Sequence, residues 1–211
     1  GRVLAVQGEV LPSTLHDVTL TADLEAPPCS GADEAEPARL SRVSGESNIP
    51  DARGAIRHVY LDPSEAMAYP GAVQALLKAD LIVAGPGSLY TSVLPNLLVP
   101  AIAKAIEASQ ARKVYVCNVA TQRGETEGYT VADHVAALER HIPGLLFPIV
   151  LANDNLAVDF EAPSGVELVP PEVPPDAQYR VVTEDLVDAA HPWRHDSDKL
   201  ARALLRLVEA D

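Results

Sequence analysis

Ala79-Asp80-Leu81-Ile82-Val83-Ala84-Gly85-Pro86-Gly87-Ser88-Leu89-Tyr90-Thr91-Ser92 sets an apolar run against a glycine-bounded polar turn and the start of a helix. Leu81 to Ala84 is the short continuous apolar run expected of a strand buried on both faces of a parallel sheet. Gly85 and Gly87 can take positive φ and let backbone N–H groups approach a ligand with no Cβ in the way. Pro86 stiffens the turn, and Ser88, Thr91 and Ser92 add hydroxyl donors at the start of a helix whose dipole favours negative charge. The stretch reads as an anion-binding turn; the alternative is an ordinary strand-to-helix connection.

The pattern repeats downstream. Pro100 belongs in the first turn of a helix reaching about Gln110, Lys113 to Cys117 is the next buried strand, and the polar loop Asn118 to Tyr129 follows it. Thr130 and Asp133 form a T-x-x-D capping pair for a helix to about His141, and Phe147 to Ala152 is a third apolar strand. Helices alternating with apolar strands predict an α/β, Rossmann-like three-layer sandwich with a mostly parallel sheet and right-handed crossovers. Both polar loops then emerge at strand carboxyl ends, the edge of an open sheet where ligands bind.

Upstream, His16 to Leu24 alternates apolar with polar and predicts a strand with one wet face, so an antiparallel strand region is added to the sheet. Residues 25–37 are rich in Pro, Gly and acid and predict a mobile loop. Gly45 to Pro50 reads as a turn and Ala55 to Leu61 as a strand. Asp62-Pro63-Ser64-Glu65 carries helix-start residues, and with Pro70 it predicts two short helices, the second from about Gly71 to Lys78. Beyond the third apolar strand, Val166 to Val169 is a candidate added strand and Arg180 to Val182 another. Ser197 to about Glu209 reads as an amphipathic helix with Leu200, Leu204, Leu207 and Val208 on one face.

The 211 residues suit a single α/β domain. Thirty acidic against 16 basic side chains give a net charge of −14, which opposes nucleic-acid backbones and anionic membranes while leaving room for a local basic pocket. No apolar run is long enough to span a bilayer. No charged-then-apolar leader precedes Val3, and neither Cys29 nor Cys117 shows metal-ligand spacing, so a reducing cytoplasm is the expected setting. Cys117 reads as packing.

The stretch from Ala79 to Ser92 with Leu94-Pro95-Asn96-Leu97-Leu98-Val99, together with Val114-Tyr115-Val116-Cys117-Asn118, Thr121-Gln122, Gly124-Glu125-Thr126 and Arg194-His195-Asp196, resembles the YvcK-like gluconeogenesis-factor family of the 2-phospho-L-lactate transferase (CofD-like) superfamily. Gly8 to Pro12 and Gly45 to Pro50 match that pattern too. The family's N-terminal Gly-Gly-Gly-Thr-Gly turn and Ala-Asp-Asp-Gly-Gly segment do not occur in these residues, so the resemblance is to its latter two-thirds. Ala120 and Arg123 stand where relatives usually carry Met and Pro.

The resemblance implies a phosphate or diphosphate site and the ligand-binding set Gly85, Gly87, Ser88, Leu89, Thr91, Ser92, Asn118, Thr121, Gln122, Arg194 and His195. Arg194 offers a planar, permanently charged fork suited to phosphate, or alternatively an ion pair with Asp196 or Asp198. Glu125 reads as a solvated carboxylate, and His134 as a satisfied core or surface histidine rather than a ligand. The function implied is a regulator that binds a nucleotide-sugar, a UDP-sugar such as UDP-N-acetylglucosamine, and links carbon supply to cell-wall synthesis and cell shape. It requires no cofactor, metal, nucleic acid or membrane insertion, and a homo-oligomer is left open. Two alternatives stand beside it: a phospholactate transferase acting on a deazaflavin acceptor with Mg²⁺, and an α/β interaction module that binds no small molecule. No catalytic residue is assigned.

Overall fold

The computed structural model describes residues 8–25, 40–52, 54–144, 146–158 and 165–209. Apart from Glu25, the loop expected at 25–37 lies outside the described residues, as does Cys29. The alternating stretch after His16 forms β1 (Thr19–Glu25), with Leu20, Ala22 and Leu24 buried. β2 (Leu40–Ser44) and β3 (Ala55–Asp62) pair antiparallel on either side of it. The buried residues of β3 are Ile56, Val59 and Leu61, and the step from Ile56 to Val59 breaks the two-residue period. The register slips there, with Asp23 opposite His58 and Leu24 opposite Ile56, leaving Arg57 as the extra residue of a bulge. Its guanidinium pairs with Glu25.

Only one of the two short helices expected between Asp62 and Lys78 forms: α1 (Pro70–Lys78), with proline in its first turn. Residues 63–69 are instead held by the chain at Ser13 and Thr14. The Thr14 hydroxyl donates to the Met67 carbonyl, Tyr69 N–H donates to the Ser13 carbonyl, and Thr14 bridges Ala68. Those backbone groups are no longer available to a helical ladder.

β4 (Leu81–Ala84) follows, then a single π-helical turn over Leu89–Val93, α2 (Leu94–Leu97) and α3 (Pro100–Ala108). β5 (Arg112–Val116), α4 (Val131–His141), β6 (Ile149–Asn153), β7 (Arg180–Glu184) and α5 (Ser197–Glu209) complete the order. The expected Thr130–Asp133 capping box is present, each residue bonding the other's backbone N–H. Val166–Val169 does not make a strand. It touches the chain through an isolated bridge between Ala120 and Leu168, flanked by Thr121 N–H to the Glu167 carbonyl and Val169 N–H to the Val119 carbonyl.

The second sheet runs β4-β5-β6-β7 with every pair parallel, so its four carboxyl ends share one edge. Alternation along the strands divides the core. Tyr115 and Cys117 of the β5 run, with Val150 and Ala152 of β6, pack into the larger cluster with Ile102 and Ile106 of α3, Val135 and Leu138 of α4, and residues of the antiparallel sheet. Val114, Val116 and Leu151 point the other way, against Ala203 and Leu207 of α5. The result is the mixed α/β layering expected, with the antiparallel strands as a separate sheet. On α5, Leu200 and Leu204 also pack inward, whereas Val208 is 41% exposed and leaves the face assigned to it. No single helix among the described residues is long and apolar enough to cross a membrane.

Candidate functional site

The turn after β4 is held open by two constraints on Gly85. Its φ is +85°, and a Cβ there would lie 2.8 Å from the Val116 carbonyl oxygen of the neighbouring strand. Gly87 has neither constraint: it lacks the expected positive φ, and a Cβ would meet the Ser92 Cβ at an ordinary 3.5 Å. What fixes Gly87 is Asn118, at the end of the β5 run. Gly87 N–H donates to Asn118 Oδ1 at 3.3 Å, and Asn118 Nδ2 donates to the Gly87 carbonyl at 3.0 Å. Gln122 Nε2 donates to the Ser88 hydroxyl at 2.8 Å, and Asn118 Nδ2 approaches Gln122 Oε1 at 3.3 Å. The two polar loops thus form one hydrogen-bonded ledge.

Across from that ledge lies the segment 186–196. Val187 bridges His195, Asp196 N–H donates to the Leu186 carbonyl, and Arg194 N–H donates to the His191 carbonyl. His195 docks this loop on the sheet through Nε2–H donating to the Cys117 carbonyl at 3.2 Å, which fixes the neutral tautomer. Burial lowers the His195 pKa, opposed by that carbonyl. Between ledge and loop is a cleft of about 600 Å³. Gly87, Ser88, Ser92, Asn118, Thr121, Gln122, Arg194 and His195 line it, so eight of the sequence-derived site residues meet there.

The other three do not. Leu89 is fully buried in the core, and Gly85 faces a different cleft on the far side of the turn. Thr91 is buried, and its hydroxyl donates to Glu125 Oε1 at 2.7 Å. Glu125 is not solvated either: it is 7% exposed, and its Oε2 accepts Tyr90 N–H at 3.1 Å. A carboxylate from the Asn118–Tyr129 loop therefore caps the helical turn whose positive end the sequence offered to a ligand. Burial raises the Glu125 pKa, partly offset by the Thr91 and Tyr90 hydrogen bonds. Thr121 lines the cleft but is only 3% exposed, and its hydroxyl accepts Glu167 N–H at 3.0 Å, so it mainly ties down the 165–169 segment. Of the two placements open to His134 the structure has the core one: it is buried, with Nδ1–H donating to the Thr130 carbonyl at 2.8 Å, while its Nε2 makes no hydrogen bond.

Five lining residues were outside the sequence-derived set: Val119, Ala120 and Val166, which are apolar, and Arg123 and Trp193. Arg123 was visible as a permanent charge inside the polar loop, and Trp193 as the neighbour of Arg194. With both arginines in place, the cleft holds two fixed positive charges and, among the described residues, no carboxylate. That is the reverse of a chain carrying −14 overall. A cleft lined by guanidinium forks and by hydroxyl and amide donors suits a phosphorylated ligand. The same donor set does not fit Mg²⁺, which takes oxygen ligands with carboxylates among them. No group of three or more His, Cys, Asp or Glu side chains among the described residues is placed to hold a metal ion.

The second cleft, about 560 Å³, shares Gly87 and Ser92; much of its lining is apolar and comes from α1, β4 and α3, such as Leu76, Ile82 and Ile106, while Glu9, Ser13 and Asn96 also line it.

Comparison with known proteins agrees with this architecture. The gluconeogenesis factor of Halalkalibacterium halodurans is 38% identical over 216 residues, covering 97% of this chain and 62% of that protein. The gluconeogenesis factor of Bacillus subtilis is 37% identical over 215 residues, covering 99% of this chain and 64% of that one. The crystal structure of a UPF0052 family member from Bacillus halodurans superposes with a TM-score of 0.78 at 35% identity, covering 97% of this chain and 64% of that chain. The chain thus spans a little under two thirds of the length of these relatives. The family model described as 2-phospho-L-lactate transferase CofD matches residues 1–211, and with relatives named gluconeogenesis factors at this level of identity, the chain belongs to the CofD family.

Proposed function

We propose that this chain is the ligand-binding part of a regulator that holds a nucleotide-sugar, a UDP-sugar such as UDP-N-acetylglucosamine, and links carbon metabolism to cell-wall synthesis and cell shape. The observation that carries the binding assignment is the charge inversion at the sheet edge: among the described residues, two arginines and no carboxylate line the cleft, although 30 of the 211 residues are acidic. The name borne by the relatives supports the link to carbon metabolism. In this reading Arg194 and Arg123 neutralise the diphosphate, while Ser88 and Ser92 offer hydroxyl donors. Beyond the bonds of the ledge, Asn118 Oδ1 keeps one acceptor lone pair and Gln122 one N–H donor, and these suit sugar hydroxyls. His195 acts by holding the Arg194 loop against β5.

Calorimetric titration of UDP-N-acetylglucosamine into the chain tests the assignment. Saturable binding that Arg194→Ala weakens is the expected result; absence of binding, or binding indifferent to that substitution, would count against it. The transferase alternative gains no support from this cleft, because its donor set does not suit the metal that chemistry needs.

A further inference from the structure

The cleft contains one feature that phosphate binding leaves without a use. Among its described lining residues Trp193 is the only Phe, Tyr or Trp, in a chain with a single tryptophan and 4% aromatic residues. The indole is 36% exposed and sits beside Arg194 in sequence. A large apolar ring at a polar cleft gains nothing from exposure, whereas a flat face next to a phosphate-binding guanidinium matches the layout of a nucleoside diphosphate, whose base lies one ribose away from its charge.

The ring is also held firmly. His191 meets it edge-to-face with centroids 5.6 Å apart. Asp188 Oδ1 accepts the Ala190 and His191 N–H groups at 2.7 and 3.0 Å, and Asp188 N–H donates to the Arg194 carbonyl at 3.0 Å. The residues on both sides of Trp193 are therefore tied into one closed turn, and the His195 bond to Cys117 anchors that turn to β5. A stacking surface held in place before the ligand arrives loses little entropy on binding.

We propose that Trp193 is the base-stacking platform of the cleft, so that the site selects nucleoside diphosphate derivatives over phosphorylated compounds without an aromatic ring. This rests on the reading that the cleft takes a phosphorylated ligand, and it adds the residue that recognises the base. The opposite wall, with Ser88, Asn118 and Gln122, carries the polar groups a sugar requires, which leaves the indole to the π-face of the base.

Because Trp193 is the chain's sole tryptophan, its fluorescence reports directly on the contact. Titration with UDP and, separately, with inorganic pyrophosphate, each followed by fluorescence and calorimetry, provides the test. UDP is expected to quench the emission saturably, and pyrophosphate to bind without comparable quenching. Trp193→Ala is expected to weaken UDP roughly tenfold or more while changing pyrophosphate affinity less than about twofold, with Trp193→Phe restoring most of the loss. Calorimetric UDP binding that leaves the fluorescence unchanged would overturn the stacking role and leave the phosphate cleft standing. Equal loss of both ligands in Trp193→Ala would reduce the ring to a structural part and likewise overturn the proposal. Failure of both UDP and pyrophosphate to bind the unmodified chain would overturn the phosphate reading together with this one.

Discussion

The Gly85–Gly87 turn separates two clefts of nearly equal size, about 600 and 560 Å³, with opposite chemistry. One is walled by loops at strand carboxyl ends and carries Arg123 and Arg194; the other is walled mainly by α1, β4 and α3 and is mostly apolar, with Glu9, Ser13 and Asn96 as its polar side chains besides the shared Ser92. Volume alone would not distinguish them. The difference lies in which chain segments supply the walls: loops at the sheet edge can present charge and amides, whereas helix and strand faces committed to a core present methyl groups.

The substitution with the largest expected effect strikes both clefts at once. Gly85→Ala forces a side chain into a left-handed conformation and against the Val116 carbonyl, and should cost about 3 kcal/mol of stability, read as a lowered urea midpoint. If the midpoint does not move, the turn is more pliable than its two constraints imply. Removing the cap behind the turn comes next. Glu125→Ala leaves the buried Tyr90 N–H without its partner and should cost about 2 kcal/mol, while Glu125→Gln keeps an acceptor and most of the stability. Equal losses in the two variants would mean that the carboxylate charge, not its hydrogen bonds, matters.

The clefts themselves separate at the third step. Arg194→Ala should weaken UDP-N-acetylglucosamine by roughly tenfold or more, the scale of a lost charge-assisted hydrogen bond. Glu9→Gln, in the other cleft, should leave the affinity unchanged. The reverse pattern would move the ligand to the apolar side. The smallest effect concerns pH. His141 accepts Val59 N–H on Nε2 and donates from Nδ1 to the Ala137 carbonyl, so it must stay neutral to join α4 to β3. Burial lowers its pKa to about 4, against about 6.5 in an unfolded chain. The unfolded state then binds more protons in that window, so this contribution is intact above about pH 6.5 and is lost as pH falls toward 4. Urea midpoints at pH 7 and pH 5 read it out, with the lower midpoint expected at pH 5.

The main strands and the terminal helix were legible because apolar runs and amphipathic spacing report burial directly. Leu81–Ala84, Arg112–Val116 and Ile149–Asn153 all pair in the parallel sheet. The stretch 63–69 was not legible, because its fate depends on hydrogen bonds to Ser13 and Thr14, about fifty residues away. The loops could be placed at one edge from sequence, but not the direction in which each side chain points. Thr91 and Glu125 face each other inside the protein, and Leu89 enters the core, while Arg123 and Trp193 reach the cleft. A polar residue in a polar loop reads the same whether it binds a ligand or caps a helix; only tertiary contact decides.

Backbone amide chemical shifts measured during titration with UDP-N-acetylglucosamine test the two-cleft distinction most directly. Saturable shifts are expected at Ser88, Gln122, Arg123 and Arg194, with Ala75 and Leu76 of α1 unmoved. Shifts concentrated at Ala75 and Leu76, or none at Arg123 and Arg194, would contradict the assignment of the arginine-lined cleft as the binding site.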